Sequence, residues 1–96
     1  MKKYELALVL SEKIDDDARA ALLDRAKAYI TRAGGTVTGV DDWGKKQLAY
    51  EIQKMTEAYY YFVKFDAEPT APAKIEENVR IMDNVLRFLV VSAEED

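Results

Sequence analysis

Residues 36 to 67 read TVTGVDDWGKKQLAYEIQKMTEAYYYFVKFDA. Two apolar alternations follow each other here with no helical stretch between them, so two strands are consecutive and form a hairpin. The first runs from 36 to 52 and carries a register conflict. Val37 is odd-numbered, whereas Val40, Leu48, Tyr50 and Ile52 are even. A strict period of two cannot bring all of them to one face. One extra residue must be absorbed, and Gly39 is the expected bulge, with a second kink at Gly44. QKMTEA (53–58) reads as the hairpin loop. YYYFVKFDA (59–67) then alternates cleanly, with Tyr59, Tyr61, Val63 and Phe65 on one face and Tyr60, Phe62 and Lys64 on the other. Leu48, Tyr50 and Ile52 read as core.

The flanks complete the pattern. KYELALVL (3–10) is a strand with Tyr4, Leu6, Leu8 and Leu10 on one face and Glu5, Ala7 and Val9 on the other. SEKIDDDARAALLDRAKAYITRAGG (11–35) reads as a helix. Asp15 is its expected N-cap, more acid follows in the first turn, and Leu22, Ala26, Tyr29 or Ile30, and Ala33 make the apolar stripe. Gly34 and Gly35 stop it. After the hairpin, EPTAPAK starts a second helix with Pro72 in its first turn, and Ile75, Val79 and Met82 form its stripe. Asp83 and Asn84 make a turn, and VLRFLVV (85–91) is the last strand.

The order β-α-β-β-α-β is the split-βαβ, ferredoxin-like plan of the α+β class. It predicts one domain over residues 1–92, a four-stranded antiparallel sheet in the order 4-1-3-2, and both helices on one side. Residues 93–96 read as a short acidic tail. Leu6, Leu8, Val63, Phe65, Ile75, Val79, Phe88 and Val90 are the expected core. The opposite face would carry Val9, Ala49, Tyr60, Phe62, Lys64, Arg87, Leu89 and Val91. A face so apolar with no helix over it marks a binding surface.

Composition narrows the chemistry. The chain has 96 residues, a formal charge of −4, and neither cysteine nor histidine. Thiolate nucleophiles, disulfides, zinc–thiolate sites and the commonest acid–base group are therefore excluded. No apolar run approaches the ~20 residues of a membrane span. The N-terminal MKKYELALVL has the lysines and apolar run of a signal peptide, but Glu5 interrupts it and no small-residue cleavage site follows. No cofactor, metal, membrane or small-molecule substrate is expected. The charge is uneven. Acid gathers in IDDD, in DAEPTAPAKIEE and in the final EED, while cations gather at 2–3, 45–54 and 80–87. In WGKKQLAYEIQK (43–54), Lys45, Lys46 and Lys54 outnumber Glu51. An acidic chain is no general polyanion binder, but it can hold a focused basic patch.

KYEL, the GG before a strand, WGKKQLAYEIQK, the aromatic third strand and NVRIMDNVLRFLVV together resemble the bacterial small-subunit ribosomal protein numbered six, over Lys3 to Val91. The resemblance implies a cytoplasmic, ribosome-associated structural constituent of the small subunit. It implies binding to 16S ribosomal RNA together with ribosomal protein eighteen. RNA contact then falls to Lys2, Lys3, Lys45, Lys46, Lys54, Arg80 and Arg87, and partner contact to Trp43, Ala49, Tyr60, Phe62, Leu89 and Val91. The family often carries a basic residue where this chain has Gln47, and lysines replace arginines in the patch. Lysine acts as a point charge without the bidentate fork of arginine.

Blander readings stand beside these. Lysines on an edge strand also blunt edge-to-edge pairing. Arg80 can pair with Glu76 or Glu77 on its own helix. A stand-alone RNA-recognition module shares the β-α-β-β-α-β plan and stacks bases on aromatics of strands one and three. Here AYYYFVKF has Ala58 and Tyr59 where that signature wants a basic residue and a glycine, and strand one offers no aromatic on its open face. An acylphosphatase-like enzyme would need an arginine-bearing loop after strand one, where this chain has SEKIDDD. An enzyme is therefore not expected.

Overall fold

The computed structural model describes residues 1–52 and 54–93. Its elements are β1 (Lys2–Ser11), α1 (Asp16–Arg32), β2 (Thr36–Ile52), β3 (Met55–Ala67), α2 (Ala71–Val79) and β4 (Val85–Ser92). The sheet order is β2-β3-β1-β4, with every pairing antiparallel. This is the expected ferredoxin-like arrangement. The tail assignment falls largely on residues 94–96, outside the described residues; Ala93 itself donates its N–H to the Lys3 carbonyl at 2.9 Å.

Local chemistry sets the boundaries. The Asp15 carboxylate accepts from the Ala18 N–H at 2.8 Å, capping α1, and Asp16 and Asp17 add negative charge to its first turn. At the other end Gly34 takes φ +90°, and Gly35 closes against Ile30 and the Asp66 carbonyl, where a Cβ would have no room. α1 turns Leu22, Ala26 and Ile30 inward, so Ile30 rather than Tyr29 continues the stripe. α2 buries Ala71, Ile75 and Val79. Between the helices and the sheet, Leu6, Leu8, Leu10, Val63 and Phe65 are at most 1% exposed.

β2 breaks its register at three places: between Val37 and Gly39, between Asp42 and Gly44, and between Gln47 and Ile52. The first two are the expected glycine irregularities. Gly44 takes φ +72° and donates its N–H to the Asp42 carboxylate at 2.8 Å. The third was not foreseen. Gln47 pairs with Glu57 and Ile52 with Met55, so β2 residues 48–51 stand opposite Thr56 alone. The expected six-residue loop is mostly strand: β3 begins at Met55, and its Met55 sulfur accepts from the Ser11 hydroxyl at 3.4 Å.

Five core assignments change. Tyr50 is 56% exposed, because the four-for-one stretch lifts it off the sheet, and Leu48 and Ile52 are half-buried. Phe88 and Val90 are half-buried too, because β4 is an edge strand with neighbours on one side only.

Candidate functional site

The helix-free face is built by alternation. Ala7 on β1 lies between Phe62 on β3 and Leu89 on β4, and Val9 lies between Tyr60 and Arg87. Cross-strand neighbours at such spacing form a continuous surface. Trp43 and Leu89 are each 56% exposed, and Val91 is 40% exposed. Trp43 does not stand free. Its ring lies 4.7 Å from the Phe62 ring, tilted 54°. Lys64, expected on this face, forms an ion pair with Asp41 at 3.2 Å, which withdraws it from the available cations.

Residues 48–51 arch over one end of this face. The Arg87 guanidinium, on the far edge strand, sits 4.7 Å from the Tyr50 ring centroid, so the arch spans β3 and β1 to reach β4. Leu48, Ala49, Tyr50 and Ile52 line a small cleft with Val9, Tyr60 and Arg87. Beside it, a more open groove of about 290 Å³ runs along Ala7, Val9, Phe88 and Leu89. Phe62 lies under Trp43, and Tyr60 lies beneath the arch. Neither ring presents the open flat face that base stacking needs.

The seven candidate RNA cations divide into two groups. Lys45, Lys46, Lys54, Arg80 and Arg87 gather at the end of the sheet where β1 finishes, since Lys46 pairs with Ala58, Ser11 also pairs with Ala58, and the Ser11 N–H donates to the Asn84 carbonyl. Lys2 and Lys3 lie at the opposite end, paired with Ala67 and Asp66. Eight residues of strand separate Lys3 from Ser11, about 26 Å at ~3.3 Å per residue. Within the first group Lys45 and Lys46 point to opposite faces. Lys45 Nζ lies 5.6 Å from the Tyr59 ring on the helix side, while Lys46 falls on the other face of the pleat. Lys54 is exposed at the hairpin tip with φ +66°. Arg80 is exposed just past α2.

Sequence reasoning missed two residues. Tyr50 was assigned to the core, and only the arch reveals it as part of the face. Arg19 is buried on α1, with its guanidinium 3.7 Å from the Tyr59 ring centroid, donating to the Ile14 carbonyl at 2.9 Å and paired with Asp16. An arginine in a helical stripe carries no sequence signal for this; the partner ring is forty positions away. No group of three acidic side chains among the described residues is placed to hold a metal ion. No helix among them is long and apolar enough to cross a membrane.

The family model for ribosomal protein S6 matches residues 3–92. The chain belongs to the ribosomal protein S6 family. Its relatives in that family include small ribosomal subunit protein bS6 of Clostridium novyi, 40% identical over 94 residues, covering 98% of this chain and 99% of that one. The bS6 protein of Caldanaerobacter subterraneus is 39% identical over 95 residues, covering 99% and 100%. The crystal structure of 30S ribosomal protein S6 from Thermotoga maritima superposes with a TM-score of 0.89 at 24% identity, over 95% of this chain and 86% of that one. The C-terminal domain of MgtC from Mycobacterium tuberculosis superposes at 0.64 with 8% identity, which shows how widely the bare fold is shared. As an S6-family member the chain is a structural protein of the small ribosomal subunit, not an enzyme, and its place is on the ribosome in the cytoplasm.

Proposed function

We propose that this S6-family chain binds 16S ribosomal RNA together with ribosomal protein eighteen, and that it divides the task between two surfaces. The helix-free face takes the protein partner through Trp43, Ala49, Tyr60, Phe62, Leu89 and Val91. The cations around the hairpin end take RNA phosphates, with Lys46, Lys54, Arg80 and Arg87 foremost. Lys45 reaches RNA only from the helix side, and Lys2 and Lys3 meet a different stretch of backbone. The observation that carries the reading is the exposed apolar row Trp43–Leu89–Val91, with no helix over it and cations along one border. Stable pairs need roughly 800 Å² per partner, near the most that one sheet face of this size can offer. RNA bound along the border therefore strengthens the protein pair by holding both components at high effective concentration.

Trp43 is the only tryptophan, so its emission reports on docking at this face. Titration with the purified partner should shift that emission, and far more sharply when 16S RNA is present. Lys46→Glu with Lys54→Glu should lower the salt slope of RNA binding by about one unit per lysine removed. An unchanged slope would reduce these lysines to edge protection, and a silent Trp43 would send the partner to another surface.

A further inference from the structure

The helix side of the molecule holds a second gathering of cations, away from the hairpin end. α1 changes character along its length. Its acids are Asp16, Asp17 and Asp24, and from Arg25 to its end it carries only cations. Arg25, Tyr29 and Arg32 recur at spacings of four and three, so they share one flank of the helix. That flank faces α2. Tyr29, Arg32 and Ala33 line a groove of about 210 Å³ with Lys74, Glu77 and Asn78 opposite.

The groove is organised around Tyr29. The Arg25 guanidinium donates to the Tyr29 hydroxyl at 3.2 Å, and the Arg32 guanidinium sits 5.8 Å from its ring centroid. The two arginines are therefore braced by an aromatic ring rather than neutralised by acids. None of Arg25, Arg32 and Lys74 forms an ion pair among the described residues, although the chain has more acid than base. Glu77 is the single acid lining the groove. Arg32 alone has an ordinary explanation, because a cation in the last turn of a helix complements its dipole. Lys74 has the opposite problem. It sits in the first turn of α2, where the dipole disfavours positive charge and where no acid is present. Helix electrostatics therefore does not account for it.

We propose that the α1–α2 groove is a second nucleic-acid backbone site. In it Arg32 and Lys74 contact phosphates from the two walls, Arg25 extends the track, and Asn78 supplies a neutral polar contact. The expected ligand is the sugar–phosphate backbone of RNA, read without base specificity, since the groove offers two cations and a single side-chain amide, Asn78, whose Nδ2 also donates to the Lys74 carbonyl at 3.0 Å. The groove lies toward the Lys3 end of the sheet, since α1 ends at Arg32 just before Thr36, which pairs with Asp66, the partner of Lys3, so the chain would touch two separate RNA segments rather than one. The inference rests on the RNA-binding reading above, and its test separates the two.

The experiment uses the full chain, its protein partner and transcribed 16S RNA. Arg32→Gln with Lys74→Gln is compared with Lys46→Gln with Lys54→Gln. Salt dependence of RNA binding and hydroxyl-radical footprints are read for each. The groove pair should lower the salt slope by about one to two units and erase protection at a set of nucleotides different from that erased by the hairpin pair. If the groove pair leaves slope and footprint unchanged while the hairpin pair lowers both, the second site is overturned and the first stands. If neither pair changes anything, both the groove and the hairpin-tip lysines are overturned as RNA contacts. A photo-crosslinker in place of Asn78 gives an independent reading. Capture of RNA supports the site; capture of an acidic protein segment instead overturns it. Unchanged thermal unfolding of both variants excludes misfolding as the cause.

Discussion

Three residues of β1 that point to the helices are sealed, while the three that alternate with them are not. Leu6, Leu8 and Leu10 are at most 1% exposed; Glu5, Ala7 and Val9 are only half-covered. β3 repeats the contrast, with Val63 and Phe65 buried and Tyr60 and Phe62 partly open. Backbone pairing is equivalent on the two faces, because every residue shares the same ladder. What differs is the covering layer. Two helices supply it on one face, and on the other an arch of four residues and one tryptophan supply only fragments. A strand's alternation therefore tells which residues share a face. It does not tell how much of that face the chain itself will cover.

That contrast can be broken most severely on the sealed side. Leu8→Ala should cost about 2–5 kcal/mol of stability through lost contacts and a residual cavity, read as a lower urea midpoint. Val9→Ala, one residue along, should cost clearly less. Equal losses would mean that the two faces are not energetically distinct. On the open side, Leu89→Asp should leave the urea midpoint almost unchanged but weaken partner binding by about 2 kcal/mol or more, the scale of an interface anchor. Binding that survives would move the partner off this face. Gly35→Ala probes the seam where α1 enters β2 below the sealed face. A Cβ there would meet Ile30 Cγ2 at 2.8 Å and the Ile30 and Asp66 carbonyls at 3.1 and 3.3 Å. Overpacking of this kind should cost about 1–3 kcal/mol, and an unchanged midpoint would show that the seam yields. The smallest effect is on the arch. A double-mutant cycle of Tyr50→Ala and Arg87→Ala should give a coupling near 0.5–1 kcal/mol, that of an exposed cation–ring pair. Zero coupling would leave the arch held by backbone alone.

Most of the fold was legible because its signals were short-range. Asp15 followed by acid, paired glycines after a helical stripe, and clean alternation in 3–10 and 59–67 each fix a local conformation. Together they admit few topologies. The glycine bulges of β2 were visible as a parity conflict between Val37 and the even-numbered residues beyond it. The candidate site was legible in part. Leu89 and Val91 emerged from parity alone, whereas Trp43 came only from the family resemblance. Tyr50 did not, because its exposure depends on four residues opposing one, and no spacing rule announces where a strand will spend them. The split of the cations was hidden for a similar reason. Lys45 and Lys46 are adjacent in sequence and thus on opposite faces, and Lys2 and Lys3 lie a full strand length away. The Arg25–Tyr29–Arg32 flank was hidden by the dipole, which offers a bland reason for basic residues late in a helix.

The position of β1 has a consequence for the order of events at synthesis. β1 is made before the other five elements, yet it lies in the interior of the sheet, with β3 and β4 as its neighbours. Its pairing with β4 joins residues 4–10 to residues 85–92. Contacts of such sequence separation close slowly, because a long loop must be ordered before they form. Until the sixth element emerges, one flank of β1 is an unsatisfied edge bearing Leu6 and Leu8. A nascent chain of this design waits for β4, and a truncation that removes β4 should leave an aggregating product rather than a smaller domain.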